Sequence, residues 1–530
     1  MNRIVAKIDI SISLLILLTS YHLISNLLWI FTSTAPIPWD QAGHTSLALQ
    51  FVNYFQSLGF LRIINYFSIS TYYPPLIHTI AAFAIILFGH PIQTSETVIT
   101  LFFIASIVLL YIYTLDLFAR KDIALISAAV YSFLPIVTEH SRWFLLDIPL
   151  LTLILCGLIF LNRSNNFTNS KYSQLFFIAL GFSILTKWTG FVYLVFPFLL
   201  TFYKWYKSSN EQKETLKENL TKYLLILFFI IFPWLALNFS SFITQALPNL
   251  VGESSDPANL FTFENFIFYI YIFINFQMNL YMASIFIIGS LYFFLRYKSK
   301  HKILFAGTIL AIYLEFSLIS NKDLRYTLPI IPFASIIIGV FLSSLIQKFR
   351  LFGSLTVLTV FSLLILYNII LSFRPQALHY QKAIKIPIVG YIDYLNLNDN
   401  LIHASNRTIW PQKEILSTIN AGDEVWLLCL VDQERINGSS FLLTRDILKL
   451  NNIQINSPPP QIFASYEEIK LYLARYNYIV VPQSQVGVPA TRNIGVYLQL
   501  KAAVEVYNSG FKKIKTYNLP NGDLLYLYSK

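Results

Sequence analysis

Two carboxylates stand in short polar stretches at the ends of long apolar runs. Asp40 lies in residues 36–44 (Pro-Ile-Pro-Trp-Asp-Gln-Ala-Gly-His) and Asp147 closes residues 139–147 (Glu-His-Ser-Arg-Trp-Phe-Leu-Leu-Asp). His44 follows Asp40 by four residues, a spacing that puts both on one face of a helix entered at Asp40. Trp39 and the stretch Tyr72-Tyr73-Pro74-Pro75 add aromatic surface of the kind that sugars and membrane interfaces favour. Arg142, Lys187, Lys322 and Arg325 bring cations to what the charge pattern makes the same side. Positive charge on the outer side of a membrane runs against the positive-inside preference, and binding a phosphate is chemistry that explains it. For a single acid the plain alternative is a solvated loop residue, since a carboxylate at the water interface costs little. For His44 it is a surface or capping histidine; otherwise the imidazole serves a sugar, a phosphate or a metal ion. Asp116, Glu315, Glu139 and His140 read as interfacial or solvated groups outside the site.

The chain that must position these groups is apolar almost throughout. Of 530 residues, 55% are hydrophobic and only 12% charged, and the mean hydropathy is +0.58. Soluble domains do not have this composition. Many segments approach the roughly 20 apolar residues needed to cross a hydrocarbon core, beginning with residues 8–31. A multi-pass integral membrane protein is expected. The formal charge of +11 does not indicate nucleic acid, because Lys and Arg cluster in short loops between apolar runs. Residues 1–7 are basic and lead into an apolar stretch longer than a signal-peptide core, so they read as the start of a retained anchor. Cys156 in an apolar run and Cys429 in the polar tail cannot build a disulfide framework, and neither is placed for catalysis.

Parity assigns the sides. With Arg3 and Lys7 inside, the first span delivers Asp40 outside. Residues 76–89 make an apolar stretch of about 14 that opens after Pro74-Pro75 and carries His78, a length that fits an interfacial or re-entrant segment better than a crossing. If that segment does not cross, residues 98–119 run inward, Arg120-Lys121 is cytoplasmic, and residues 123–138 return outward. Arg163, Lys171 and the basic residues of 204–222, 296–302 and 348–350 then fall inside. Lys187-Trp188, residues 240–265 and residues 321–326 fall outside. About eleven spans result, with the N-terminus cytoplasmic and the tail after Phe373 extracytoplasmic, as in a bacterial plasma membrane protein.

The tail changes character, with more charge, shorter apolar runs and turn residues, so the chain divides into a membrane domain, 1–373, and a soluble α/β domain, 374–530. Residues 425–431 and 478–481 read as buried strands. A helical pattern covers 441–450, a second helix opens with the capping box Ser465-Tyr466-Glu467-Glu468, and Asn521-Gly522 joins a hairpin of 512–517 and 524–528. No phosphate-binding glycine loop or metal cluster is legible in it.

In its membrane part, about residues 10–345, the chain resembles the GT-C type membrane glycosyltransferases that use polyprenyl-phosphate sugars (glycosyltransferase family 39-like). These include the protein O-mannosyltransferases and the lipid A aminoarabinose transferases. The resemblance rests on five motifs in order: Asp40 in the first outer loop, Tyr-Tyr-Pro-Pro-Leu (72–76), Ser-Arg-Trp-Phe-Leu-Leu-Asp-Ile-Pro-Leu (141–150), Gly-Phe-Ser-Ile-Leu-Thr-Lys-Trp-Thr-Gly (181–190) and Lys-Asp-Leu-Arg-Tyr-Thr-Leu-Pro-Ile-Ile-Pro (322–332). Many members carry Asp-Glu in the first loop, whereas Gln41 follows Asp40 here. The resemblance implies an α-helical polytopic GT-C fold and an inverting transfer from a polyprenyl-phosphate-sugar donor to a hydroxyl acceptor on a protein, lipid or glycan. Asp40 would be the base. Lys187, Arg325 and Lys322, with Arg142 next, would hold the leaving phosphate without a metal. Asp147 would orient Arg142 or the acceptor, and His44, Tyr72, Tyr73 and Tyr326 would contact substrate. The tail, on the same side, is expected to select the acceptor. Two rival classes are a transporter or flippase, which usually shows internal repeats and paired Gly/Pro-broken spans, and a non-catalytic membrane anchor presenting the tail to an envelope partner. No such repeat is visible and the charges sit at the outer edge, while an anchor leaves the outer-loop cations unexplained.

Overall fold

A computed structural model describes residues 9–33, 36–57, 63–251, 260–373, 380–386, 390–397, 410–420, 422–459, 462–484, 494–507 and 510–530. The basic N-terminal residues Arg3 and Lys7 lie outside the described residues.

The first half of the bundle comprises α1 (Ile10–Thr32), α2 (Trp39–Gln56), α3 (Ile63–Ser68), α4 (Leu76–Phe88), α5 (Pro91–Phe118), α6 (Lys121–Phe133), α7 (Pro135–His140), α8 (Asp147–Arg163) and α9 (Ser170–Thr186). A 3-10 turn, Trp188–Phe191, follows, and then α10 (Val192–Tyr206), α11 (Asn210–Val251), α12 (Phe263–Ile272), α13 (Leu280–Leu295), α14 (Lys302–Ser317), α15 (Ile330–Lys348) and α16 (Arg350–Phe373). Among the described residues, five of these helices are long and apolar enough to span a membrane, or six if the pair 263–278 and 280–295, bent by 115°, counts as one. Length alone therefore qualifies fewer than the eleven spans expected; α8 and α9, of 17 residues each, pack within the bundle below that length. Many apolar side chains on α1, α11 and α16 face outward, among them Leu17, Phe229 and Leu358, as lipid-facing helices require.

The two ends of the bundle differ in their polar contacts. At one end Asp9 pairs with Lys121 and Arg120 with Asp122, Arg163 Nε lies 2.6 Å from Asp116, and His301 Nε2 is 3.1 Å from the Leu117 carbonyl. At the other, Asn26 near the end of α1 donates to Ser141 Oγ (2.9 Å) and accepts from Arg142 Nε (2.8 Å). Ile92, in the first turn of α5, packs with Ile37, Ala42 and Leu49 around α2. Both ends of α4 therefore stay with α2, at the end opposite Lys121, and residues 76–89 do not cross the bundle.

The tail holds a two-stranded antiparallel ribbon, β1 (Tyr380–Ile386) with β2 (Gly390–Leu397), and a five-stranded sheet in the order β4-β3-β5-β7-β6. Its strands are β3 (Val425–Cys429), β4 (Ile453–Asn456), β5 (Tyr478–Pro482), β6 (Lys512–Asn518) and β7 (Leu524–Ser529). β3 is parallel to β4 and β5, while β7 runs antiparallel to β5 and closes the hairpin with β6. The hairpin turns at Asn521-Gly522, where Gly522 takes φ +86°, the left-handed conformation glycine adopts without steric cost. Helices α17 (Gln412–Ile419), α18 (Gly438–Leu448), α19 (Tyr466–Leu473) and α20 (Ile494–Glu505) cover the sheet. Strand alternation divides the interior. Leu427 and Cys429 enter one core with Ile415 and Phe441, and Leu428 and Leu430 enter the other with Ile469 and Leu500. The helix expected at 441–450 begins three residues earlier, because Asn437 and Ser440 form a capping box. The Ser465 cap accepts from Glu468 N, but the Glu468 carboxylate reaches Ala464 N instead of closing the box on Ser465.

Candidate active site

Helix ends build the polar core of the site. Asp147 is the first residue of α8, and Lys187 caps the end of the neighbouring, packed α9. A carboxylate at a helix N-terminus and an ammonium at a helix C-terminus each meet a favourable dipole. The two meet as an ion pair, Lys187 Nζ to Asp147 Oδ1 at 3.0 Å, with side-chain exposures of 15% and 7%. The 3-10 turn after Lys187 is closed by a Gly190 N to Lys187 O bond of 2.7 Å. A Cβ on Gly190 would lie 2.6 Å from the Ser183 carbonyl, so the turn needs glycine.

Asp40 enters from the other side, in the first turn of α2. Arg325 Nη2 donates to its Oδ2 at 2.9 Å, while Arg325 Nε and backbone N both donate to Asp323 Oδ1 at 2.9 Å. The guanidinium thus bridges Asp40 of α2 and Asp323, its own neighbour in the loop between α14 and α15. That loop is fixed from beneath, where Gln277 Nε2 donates to Leu324 O (2.6 Å) and Tyr193 Oη to Tyr326 O (3.1 Å). Lys187 Nζ sits 5.2 Å from the centre of the Tyr326 ring, close enough for a cation–π attraction.

One helical turn beyond Asp40, His44 lies against the edge of Tyr73, with ring centres 4.6 Å apart, and its Nδ1 is 3.0 Å from His78 Nε2 on α4. Burial pushes the His44 imidazole down to about 3; Arg325 and Lys187 act in the same direction and Asp147 opposes them. Tyr72 and Tyr73 occupy the turn before α4. Ser70 Oγ bonds to the Tyr73 carbonyl, and Trp234 of α11 donates to Ser70 O at 2.8 Å.

Asp40, His44, Tyr72, Tyr73, Asp147, Lys187, Arg325 and Tyr326 all line a single cavity of about 80 Å³. Residues far apart along the chain therefore converge at one end of the bundle. Sequence reasoning missed Trp188, Thr189, Asn321 and Phe316 in the same wall, as well as Asp323 and His78, which hold Arg325 and His44. An acid two residues before Arg325 was a legible signal for the first. For the buried histidine pair only the fold supplies one.

Two expected phosphate-binding cations lie elsewhere. Arg142 is 2% exposed inside the bundle, where it donates to Asn26 Oδ1 (2.8 Å), Ser25 Oγ (3.3 Å) and Ser372 Oγ (2.5 Å) and lies over Trp29. Its charge is solvated by amide, hydroxyl and aromatic groups of α1 and α16, out of reach of Asp147. Lys322 Nζ donates to the carbonyls of Phe316 (2.7 Å) and Ser317 (2.9 Å) at the end of α14 and lies over Tyr269. Burial lowers its amine to about 8. Gln41, in the place of the family's glutamate, is buried with its Oε1 unpartnered. Among the described residues no three His, Cys, Asp or Glu side chains gather as a metal site requires.

Residues 60–247 match the family model described as dolichyl-phosphate-mannose-protein mannosyltransferase. No curated protein matches the chain in sequence. Among solved structures, the ArnT of Cupriavidus metallidurans bound to undecaprenyl phosphate has a TM-score of 0.58 at 13% identity, covering 97% of both chains. The same protein in the apo state gives 0.58 and 13% over 98% of both. The oligosaccharyltransferase of Archaeoglobus fulgidus, in complex with zinc and sulfate, gives 0.56 at 12% identity over 97% of this chain and 72% of its own. Both are GT-C glycosyltransferases. Family model and fold agree: the chain is a membrane-embedded glycosyltransferase of the GT-C fold.

Proposed function

We propose that this GT-C glycosyltransferase moves a sugar, with inversion, from a polyprenyl-phosphate donor to a hydroxyl acceptor at the outer face of the membrane. The observation that carries the reading is the meeting of two carboxylates and two cations in one small cavity. In the reaction Asp40 takes the acceptor's O–H proton as the acceptor oxygen bonds to the anomeric carbon. The bond from that carbon to the phosphate oxygen breaks, and its electron pair leaves with the polyprenyl phosphate. A single displacement needs one base and a stabilised leaving group, with no covalent intermediate. Lys187 and Arg325 hold the phosphate charge as it develops. Before the donor arrives these cations rest on Asp147, Asp323 and Asp40; an incoming phosphate competes for them and frees Asp40 to act. Tyr72, Tyr73, Tyr326 and His44 form the walls against which the sugar lies.

Undecaprenyl phosphate in the ArnT structure supports a lipid-linked donor. An apolar cavity of about 220 Å³, lined by Tyr269, Phe273, Phe286 and Ile330 and by Thr327, the residue after Tyr326, provides room for the start of the lipid chain. The clustering of basic residues at the end opposite the cavity supports a cytoplasmic N-terminus and an extracytoplasmic site, with a membrane domain to about residue 373 and a soluble domain beyond it. The test is Asp40→Asn in membranes supplied with lipid donor. Transfer falls by about 10²- to 10⁴-fold, the usual contribution of a general base, while the donor still binds. Transfer at the wild-type rate removes Asp40 from this role.

A further inference from the structure

The helix that carries Asp40 has no cap of its own. Pro38 precedes it without any side-chain hydrogen bond to the first turn, and proline donates no backbone N–H. Besides the contacts of Asp40 with Arg325 and of His44 with His78, its entry is held by the tail, nearly four hundred residues later. Trp39 Nε1 donates to Asp432 Oδ1 at 3.0 Å, Arg435 Nη1 donates to the Pro36 carbonyl at 2.9 Å, and Ser46 bonds to Asp446. Leu443 of α18 closes an apolar contact with Ile37 and Ala42.

The gripping segment is itself rigid. Residues 432–437 follow β3 and fold into a tight turn in which Gln433 and Ile436 bridge each other. Asn437 Nδ2 donates to the carbonyls of Gln433 and Glu434 at 3.0 Å, and Gln412 Nε2 to that of Arg435 at 2.8 Å. Gln433 also reaches Asp523 at 3.1 Å. With its backbone tied inside the soluble domain, the turn presents Asp432 and Arg435 outward, at the carboxyl end of a parallel strand. α/β domains usually place ligand sites at such ends; here the place is taken by the entry of α2.

We infer that Asp432 and Arg435 are positioning residues for the transfer: the tail domain holds the first turn of α2, and through it sets where the Asp40 carboxylate stands in the cavity. This rests on the proposed role of Asp40. It gives the tail a part in turnover besides any part in choosing the acceptor.

The experiment uses the full-length protein in nanodiscs and two independent disruptions, Trp39→Phe, which keeps the ring and removes the donor, and Asp432→Ala. Each lowers kcat by about 10- to 100-fold, the scale of a misplaced catalytic group, with the donor KM within about twofold of wild type. The double variant is no worse than the poorer single one, because both remove one contact. Asp432→Asn, which keeps an acceptor oxygen, stays within about threefold of wild type. Amide hydrogen exchange at residues 39–44 speeds up in both disrupted proteins. Wild-type kcat and wild-type exchange in Trp39→Phe and Asp432→Ala overturn the inference. If the wild-type protein itself transfers nothing, the functional reading fails instead, and the exchange measurement alone decides whether the tail holds α2.

Discussion

Lys187 is asked to do two things, to neutralise Asp147 and to hold the leaving phosphate, and a single substitution separates them. At an effective dielectric constant of about 20, unit charges at the observed 3.0 Å attract by about 5 kcal/mol, much of it offset by taking both groups out of water. An incoming phosphate must compete with that attraction. Lys187→Met keeps the length of the stem and removes the charge. Losing a hydrogen bond to a charged group costs about 1.5–3 kcal/mol, so polyprenyl phosphate binds about 10- to 150-fold more weakly. Transfer loses about 10²- to 10³-fold in kcat/KM, the scale of removing one preorganised donor from a developing anion. Asp147→Asn has the opposite sign for binding: with the competing carboxylate gone, Lys187 faces the phosphate alone and the lipid binds more tightly. Titration of polyprenyl phosphate into the purified proteins, beside turnover with lipid donor, reads both effects. Wild-type lipid affinity in Lys187→Met refutes the leaving-group role. A loss in Asp147→Asn equal to that in Lys187→Met would make the two a structural pair and nothing more.

The buried His44 predicts an acid-side loss of stability. Its imidazole titrates near 3 in the folded protein against its usual 6.5. Between those values the unfolded chain binds a proton that the native state refuses, so stability falls as pH drops through that window, by up to about 5 kcal/mol in total. Above 6.5 the term is constant. His44→Gln flattens the dependence of the unfolding midpoint between about pH 4 and pH 7; an unchanged slope would show that other groups carry it. Arg142→Leu strips Asn26, Ser25 and Ser372 of their shared partner and costs about 2–4 kcal/mol, while lipid-phosphate affinity stays at wild type. A thermal midpoint unmoved together with weakened lipid binding would return Arg142 to the site.

Charge parity placed Asp40, Asp147, Lys187 and Arg325 on one side of the bundle, and it could do so because the cost of moving a Lys or Arg through hydrocarbon is paid one residue at a time and leaves its mark locally. The non-crossing of α4 was legible in its length, in the prolines that open it and in the basic loops that a crossing would invert. The strands β3 and β5 were legible because a sheet with two covered faces needs apolar runs bounded by turns, and the 512–528 hairpin because Asn521-Gly522 is a strong turn signal. β1, β2 and β4 escaped: β4 is four residues long, and β1 and β2 interrupt their apolar residues with Lys382, Lys385 and Asp393.

Parity gives a side but not a direction. Lys322 and Arg325 stand three residues apart in one loop and look equivalent in the sequence, yet one points down onto the carbonyls that end α14 and the other across to Asp40. What separates them is the neighbour each finds. A lysine just past a helix end meets carbonyls that have no partner within the helix, for which a compact three-donor ammonium is well suited. Asp323 takes one edge of the Arg325 fork and leaves the guanidinium planar, anchored and facing the cavity. The same contrast explains Arg142. Its positive charge on the outer side marked it for the phosphate, but Asn26, Ser25 and Ser372 come from distant helices and turn it inward. Side chains whose direction is set by such partners become readable only once the helices are packed, and this is also why the grip of the tail on Trp39 left no trace near Asp40.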